Sequence, residues 1–160
     1  MKKTFYVASA AVAVLAMASC SSDKKTNNQV EAQPVVENVT EVYSGILPAA
    51  DADGFQYTLV LDYDADDNFA EGDFDLTQTV VAVDSTSATG FAATDQKFVT
   101  KGDFDVFTKD GKKYLKLTSD VNENDITYFQ VTSDSTVILV NIDLEQPAVP
   151  GLNYTLTKVK

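Results

Sequence analysis

The chain of 160 residues contains no histidine, no tryptophan and only one cysteine, Cys20. All 12 of its basic residues are lysine. Without histidine there is neither the commonest general base at neutral pH nor an imidazole metal ligand. Without arginine there is no planar fork to clamp a phosphate. A lone cysteine excludes an intramolecular disulfide, so stability has to come from a buried apolar core. Positive charge is also scarce, because 24 acidic residues leave a net charge of −12. That balance argues against a nucleic-acid partner, which is held through basic surfaces. It also argues against adsorption of the protein surface to anionic headgroups. No G-x-S-x-G elbow or phosphate loop occurs, and carboxylate pairs arise by coincidence in so acidic a chain, so no enzymatic activity is expected.

What is present begins with a leader. Lys2 and Lys3 precede an apolar run from Phe5 to Met17 that only Ser9 interrupts, and Met17-Ala18-Ser19-Cys20 ends it. A positive start, a short apolar core and small residues before the cut describe a secretory signal peptide. The run falls short of the roughly 20 residues that span a bilayer. Ala18-Ser19-Cys20 resembles the lipobox of bacterial lipoproteins, in which the cysteine receives a diacylglycerol and the new amino terminus is acylated, commonly with palmitate. Residues 1–19 are therefore read as a lipoprotein signal peptide, and Cys20 as the lipidation site that makes the membrane a partner. Several acyl chains give stable attachment where one alone binds marginally. Ser21 and Ser22, rather than an aspartate, follow the cysteine, which resembles lipoproteins sorted to the outer membrane. Whether the domain then faces the periplasm or the exterior is left open. Cleavage removes two lysines and both methionines, leaving ten lysines against 24 acids and a net charge of −14.

Residues 20–40 comprise the lipidated cysteine and a polar stretch without aromatics, read as a flexible tether. A single domain follows over residues 41–160. Phe55 to Tyr63 alternates, with aromatic and aliphatic residues at odd positions, as a half-buried strand does. Asn68 to Leu76 alternates less cleanly. Phe98 to Phe107 leads through Lys109-Asp110-Gly111-Lys112 into Tyr114 to Leu117, and an Asp-Gly pair between two such runs predicts a hairpin with positive φ at the turn. Ile126 to Val131 and Thr136 to Val140 form a second pair turning near Ser133-Asp134, and Asn153 to Val159 reads as a closing strand. Gln78 to Gln96 gives the weakest pattern. Many short strands with no helical period predict an all-β protein, a sandwich or barrel.

Tyr43-Ser44-Gly45-Ile46-Leu47-Pro48-Ala49-Ala50-Asp51-Ala52-Asp53-Gly54 resembles the opening Y-x-G-x-L-P-C-A-D-C-x-G of the NlpE N-terminal domain family. Thr58, Leu59 and Leu61 continue the likeness, as do Gly102-Asp103-Phe104, Leu115-Lys116-Leu117, Tyr128 to Val131 and Asn153-Tyr154-Thr155-Leu156. The resemblance runs from residue 42 to 159. It implies a small antiparallel β-barrel of lipocalin-like shape in an outer-membrane lipoprotein. Family members are tied to copper resistance and to envelope stress or surface sensing, signalled to an inner-membrane sensor kinase as protein partner. The two cysteines of the family motif correspond here to Ala49 and Ala52. Thiolates supply soft-metal binding and disulfide exchange, and alanine supplies neither. With no histidine, and with no methionine after cleavage, soft-ligand copper binding is excluded, and no cofactor is expected. The Pro48 to Gly54 stretch is then a turn, in which Asp51 and Asp53 bond locally to backbone N–H groups and Gly54 permits the bend.

Asp62, Asp64, Asp66 and Asp73 form the one cation alternative, a weak calcium site. The alternating aspartates fit the start of an EF-hand loop, but Asp67 stands where that loop needs glycine, and Asp73 replaces its final glutamate. A solvated acidic turn is the simpler expectation. Asp84-Ser85-Thr86 and Asp134-Ser135-Thr136 resemble acceptor sites for O-glycans on exported proteins. Three functions compete. One is a non-enzymatic envelope stress-sensing or binding module. The second is a lipocalin-like carrier whose apolar ligand is lined by Phe55, Tyr57, Phe69, Phe74, Phe104 and Phe129, although small barrels more often fill their interiors with such side chains. The third is a calcium-stabilised surface adhesin.

Intact-mass analysis of the processed protein should give the Cys20–Lys160 polypeptide plus a diacylglycerol and an acyl chain, and Cys20→Ser should lose both lipid and membrane attachment. A free thiol at Cys20 in the processed product would contradict the anchor.

Overall fold

The computed structural model describes residues 37–50 and 52–160. The leader, Cys20, most of the tether and Asp51 lie outside these residues. Eight antiparallel strands follow one another around a closed barrel: β1 Asn38–Leu47, β2 Gly54–Asp64, β3 Glu71–Val83, β4 Phe91–Lys109, β5 Lys112–Ser119, β6 Ile126–Ser133, β7 Thr136–Val140 and β8 Thr155–Lys158. Each strand pairs with its sequence neighbour, and β8 returns to β1. The expected all-β antiparallel barrel is the fold observed.

Side chains alternate across each strand, so one parity faces the barrel axis. Tyr43, Leu47, Leu59, Leu61, Phe74, Leu76, Phe104, Leu115, Leu117, Phe129, Val137 and Leu156 form a single buried cluster there, each no more than 4% exposed. Each large apolar side chain withdrawn from water contributes about 1.5–3 kcal/mol, which is how a disulfide-free domain of this size holds together. Glycine stands opposite a large ring at two inner positions, Gly72 beside Phe104 and Phe74 beside Gly102. A Cβ on Gly72 would lie 2.8 Å from a Phe104 ring carbon, and one on Gly102 would lie 3.0 Å from a Phe74 ring carbon. Small positions facing large ones let a narrow barrel fill its interior.

The strands differ greatly in length, and that gives the barrel two unequal halves. β3 and β4 have 13 and 19 residues, whereas β7 and β8 have five and four. β4 pairs with β5 only from Gly102 onward, so the β3–β4 hairpin rises past the end of β5. Gln78 to Gln96, the stretch with the weakest sequence pattern, forms much of this arm. The start of β1, where the tether arrives, lies at the opposite pole with the β2–β3, β4–β5 and β6–β7 turns.

Local chemistry explains the turns. Asp110 and Gly111 have φ of 51° and 74°, the paired positive values expected of the Asp-Gly hairpin. The β6–β7 turn is Asp134-Ser135, with Ser133 still paired to Thr136. β1 begins at Asn38, inside the stretch read as tether, because Thr40 donates to Asp62 Oδ1 at 2.5 Å and polar residues carry this end of the ladder. Phe69, expected within an alternating strand, instead sits in the β2–β3 turn with φ of 60° and packs its ring 5.5 Å from that of Tyr63. The long connection from β7 to β8 covers an outer aromatic group in which Phe107 stacks on Tyr114 at 5.6 Å. Tyr114 donates its hydroxyl to the Leu144 carbonyl, and the Gln146 amide donates to Gln130.

Candidate functional site

The Tyr43 to Gly54 motif spans the upper half of β1, the β1–β2 connection and the first residue of β2. Its odd residues face inward. Tyr43 and Leu47 enter the core, and Gly45 lies between them where β8 crosses β1. A Cβ on Gly45 would sit 2.5 Å from the Thr155 carbonyl oxygen, so no side chain fits. Thr155 and Leu156 belong to the Asn153-Tyr154-Thr155-Leu156 motif, so the first and last signatures of the chain meet at this crossing. Gly54 has a similar constraint. A Cβ there would be 3.0 Å from the Leu47 carbonyl and 3.2 Å from Ile46 Cγ2, so close packing against β1 and β3 sets this glycine, rather than a positive φ in the turn.

Asp53 also departs from the expected local bond. Its Oδ2 accepts from the backbone N–H of Val83, 2.8 Å away and 30 residues on. β3 runs far enough to set Val81 opposite Gly54, which brings Val83 to the connection. Ala49 and Ala52 stand in this braced connection, where two cysteines of the family motif would be; both are partly buried, and Asp51 between them lies outside the described residues. Pro48 and Asp53, which flank that site, line one wall of a groove of about 670 Å³ on the outer face of β1. Ile46, Phe91, Leu152 and Val159 give it apolar surface. Ser44 and Gln56 form its polar floor, with Gln56 Nε2 donating to Ser44 Oγ at 2.7 Å.

A second polar centre lies inside the barrel beneath Tyr43. Glu41 accepts three hydrogen bonds: Tyr43 at 2.7 Å, Tyr63 at 2.9 Å and Lys158 Nζ at 2.6 Å. Burial alone would raise its pKa, but the bonds from Lys158, Tyr43 and Tyr63 and the lysine charge outweigh burial and hold the carboxyl below its ordinary value. Burial and the bond to Glu41 push the Tyr63 phenol up to about 12 and raise Tyr43 as well. The three bonds tie Glu41 on β1 to Tyr63 on β2 and to Lys158 on β8, so the cluster braces the β1–β8 junction. Sequence reading gave no sign of it, because Glu41, Tyr63 and Lys158 are scattered along the chain.

The four aspartates considered for calcium are spread along the outer surface. Asp62 and Asp73 face each other across β2 and β3, and Asp103 continues the row on β4. Asp64 pairs with Asn38, and Asp66 lies in a short 3-10 turn at Ala65–Asp67. Among the described residues no group of three or more carboxylates is arranged to hold a metal ion. Burial, then Asp103, Asp120 and Asp62, raise the Asp73 pKa above its ordinary value. Like charges set directly opposite on a sheet cost stability. The six aromatic residues weighed as cavity lining or as core occupy three settings. Phe74, Phe104 and Phe129 are fully packed core, Tyr57 and Phe69 pack against it, and Phe55 sits at the mouth with its ring 6.2 Å from Phe98.

A pH series of urea unfolding separates the two carboxylates. Glu41 has a depressed folded pKa, so its contribution is present above the unfolded value near 4.5 and is lost as pH falls through the folded one. Glu41→Gln should therefore destabilise by about 1–3 kcal/mol at pH 7 and cost progressively less in acid. Asp73 has a raised folded pKa, so its penalty is full above that value and disappears as the group protonates. Asp73→Asn should stabilise at pH 7 and lose its advantage as pH falls. Opposite trends for either variant would refute the assignment.

The comparisons with known proteins agree with this geometry. A profile of the NlpE N-terminal domain matches residues 43–149, from the inward tyrosine of β1 to the long connection before β8. The match stops short of the Asn153 to Leu156 motif, which the crossing at Gly45 links to it in space. No curated protein and no solved structure matches the chain. With two thirds of its length covered by the family profile on a closed eight-stranded barrel, the chain belongs to the NlpE N-terminal domain family.

Proposed function

We propose that this protein is a lipid-anchored, non-enzymatic module of the outer membrane that senses or binds an envelope partner through its outer surface. The observation that carries the proposal is the division of the barrel. Its interior is filled by a single packed cluster, while the groove beside the β1–β2 connection lies on the outer face and keeps an apolar lining. Family membership supports an envelope role. Alanine at positions 49 and 52 removes the thiols on which a redox or copper input would act. What remains is position: a copy held at the inner membrane can reach a sensor kinase that an outer-membrane copy cannot. No helix among the described residues is long and apolar enough to cross a membrane, and the attachment proposed is the lipid on Cys20. A carrier of an internal apolar ligand is less well supported, since Phe74, Phe104 and Phe129 would have to be displaced from the core to admit it.

The test moves the anchor. Ser21→Asp with Ser22→Asp, introduced to retain the lipoprotein in the inner membrane, should raise envelope-stress transcription several-fold over wild type, and a Cys20→Ser version of the same variant should not. If deletion and inner-membrane trapping both leave stress transcription unchanged, the signalling role is wrong.

A further inference from the structure

The rise of the β3–β4 arm above β5 leaves an unpaired strand edge. From Phe91 to Thr100, β4 is paired only with β3, since pairing to β5 starts at Gly102. Two backbone bonds fix which groups face outward. Val106 donates its N–H to Ala70 on the β3 side, whereas the Lys101 carbonyl accepts from Asp120 on the β5 side. Even residues of β4 therefore face β3 and odd residues face away. The N–H and C=O groups of Lys97 and Val99 point into open space, with no backbone partner among the described residues. This part of the strand is regular, because Lys97 to Lys101 pair one for one with Thr79 to Asp75. The irregularity between Thr79 and Val81 ends it above, where Thr94 Oγ1 donates to the Val80 carbonyl. Phe98 and Val99, on opposite faces of this edge, are 55% and 52% exposed.

The lower end of the edge opens on a depression of about 270 Å³ lined by Asp62, Asp73, Asp75, Lys101 and Asp120. Lys101 bonds to Asp75, which leaves Asp62, Asp73 and Asp120 as carboxylates of the lining with no lysine partner among the described residues. An open strand edge recognises an extended polypeptide, because only another backbone matches its alternating donors and acceptors. The carboxylates at its end complement a cation on that polypeptide.

We propose that the Lys97–Val99 edge of β4 docks an extended segment of a partner protein by strand addition, with a basic side chain of that segment seated in the Asp62–Asp73–Asp120 depression. Asp120 occupies the β5 side of Lys101, so a segment running antiparallel to β4 brings its first residue beside Val99, on the face that carries Lys101 and the carboxylates, and its third beside Lys97. A second copy of this chain fits poorly. It carries the same strong negative charge, and antiparallel edge pairing would send the two Asn38 ends to opposite poles. The proposal goes beyond the anchored-module function and stands on the barrel alone, so it can fail while anchor-dependent signalling survives.

The test uses the full-length chain in detergent micelles and two blocked pentapeptides, Arg-Val-Thr-Val-Thr and its counterpart beginning with Glu. Hydrogen–deuterium exchange should show the Arg peptide protecting the segment around residues 97–101, with little effect from the Glu peptide. Val99→Pro removes an outward N–H without touching the β3 ladder and should weaken the Arg peptide at least about tenfold. Asp73→Asn with Asp120→Asn should weaken it similarly, while thermal unfolding confirms that both variants are folded. Absence of protection at 97–101 with either peptide would overturn the proposal. So would equal binding of the Glu peptide, or undiminished Arg-peptide binding to Val99→Pro. Concentration-dependent protection of the edge without peptide, lost in Val99→Pro, would assign it to a second copy instead.

Discussion

Closure of the barrel at β1 and β8 is the constraint on which the rest of the structure depends. It is the shortest seam, with only Tyr43–Lys158 and Ser44–Thr157 paired in the ladder. Three further backbone bonds join Val42 to Val159 and Lys160. The missing length is made up by other means. Gly45 lets the Thr155 backbone approach where a side chain would collide, and Lys158 reaches across to the Glu41 carboxylate that also gathers two tyrosine hydroxyls. The family signature Tyr-x-Gly-x-Leu is thus explained by geometry: an inward ring bonded to Glu41, a position that must lack a side chain, and a core leucine. A chemical role for these residues is not needed to account for them.

The same short seam shapes the surface. Since β7 and β8 are brief, the half of the barrel made from β1 to β4 stands taller, and its outer faces and edges lack neighbours. The groove on β1 and the open edge of β4 both follow from that asymmetry. Charge is distributed to match. Among the described residues Glu41 is the inward carboxylate of the core, compensated by a lysine and two phenols, while acids such as Asp62, Asp73 and Asp103 lie outside, where repulsion along the row is tolerated at some cost. A net charge of −12 keeps copies apart in solution. It also means that a docking partner is favoured where its own charge is positive.

Much of this fold was legible in the sequence. The alternation from Phe55 to Tyr63 identified β2 because its odd residues from Tyr57 onward face a packed interior, and Asp110-Gly111 identified the β4–β5 hairpin because only a primed turn needs both positive φ values. β1 was not legible as a strand, since its inward set is Glu41, Tyr43, Gly45 and Leu47, and a charge and a glycine break the apolar period. The β3–β4 arm was obscure for a different reason: Val81 is buried, but β4 from Ala92 to Val99 is exposed on both faces, so no buried side imposes alternation there. Asp53 and Gly54 were assigned to a local turn because nothing in the sequence shows that Val81 and Val83 lie beside them. The polar cluster at Glu41 depends on contacts across the barrel that no local pattern reports.

The most direct test of barrel closure is hydrogen exchange and thermal unfolding of Gly45→Ala. A single methyl group aimed at the Thr155 carbonyl should lower the unfolding midpoint, with loss of about 1–3 kcal/mol or more, and should remove amide protection from β8 before any other strand. Wild-type stability with fully protected β8 amides in that variant would contradict the account.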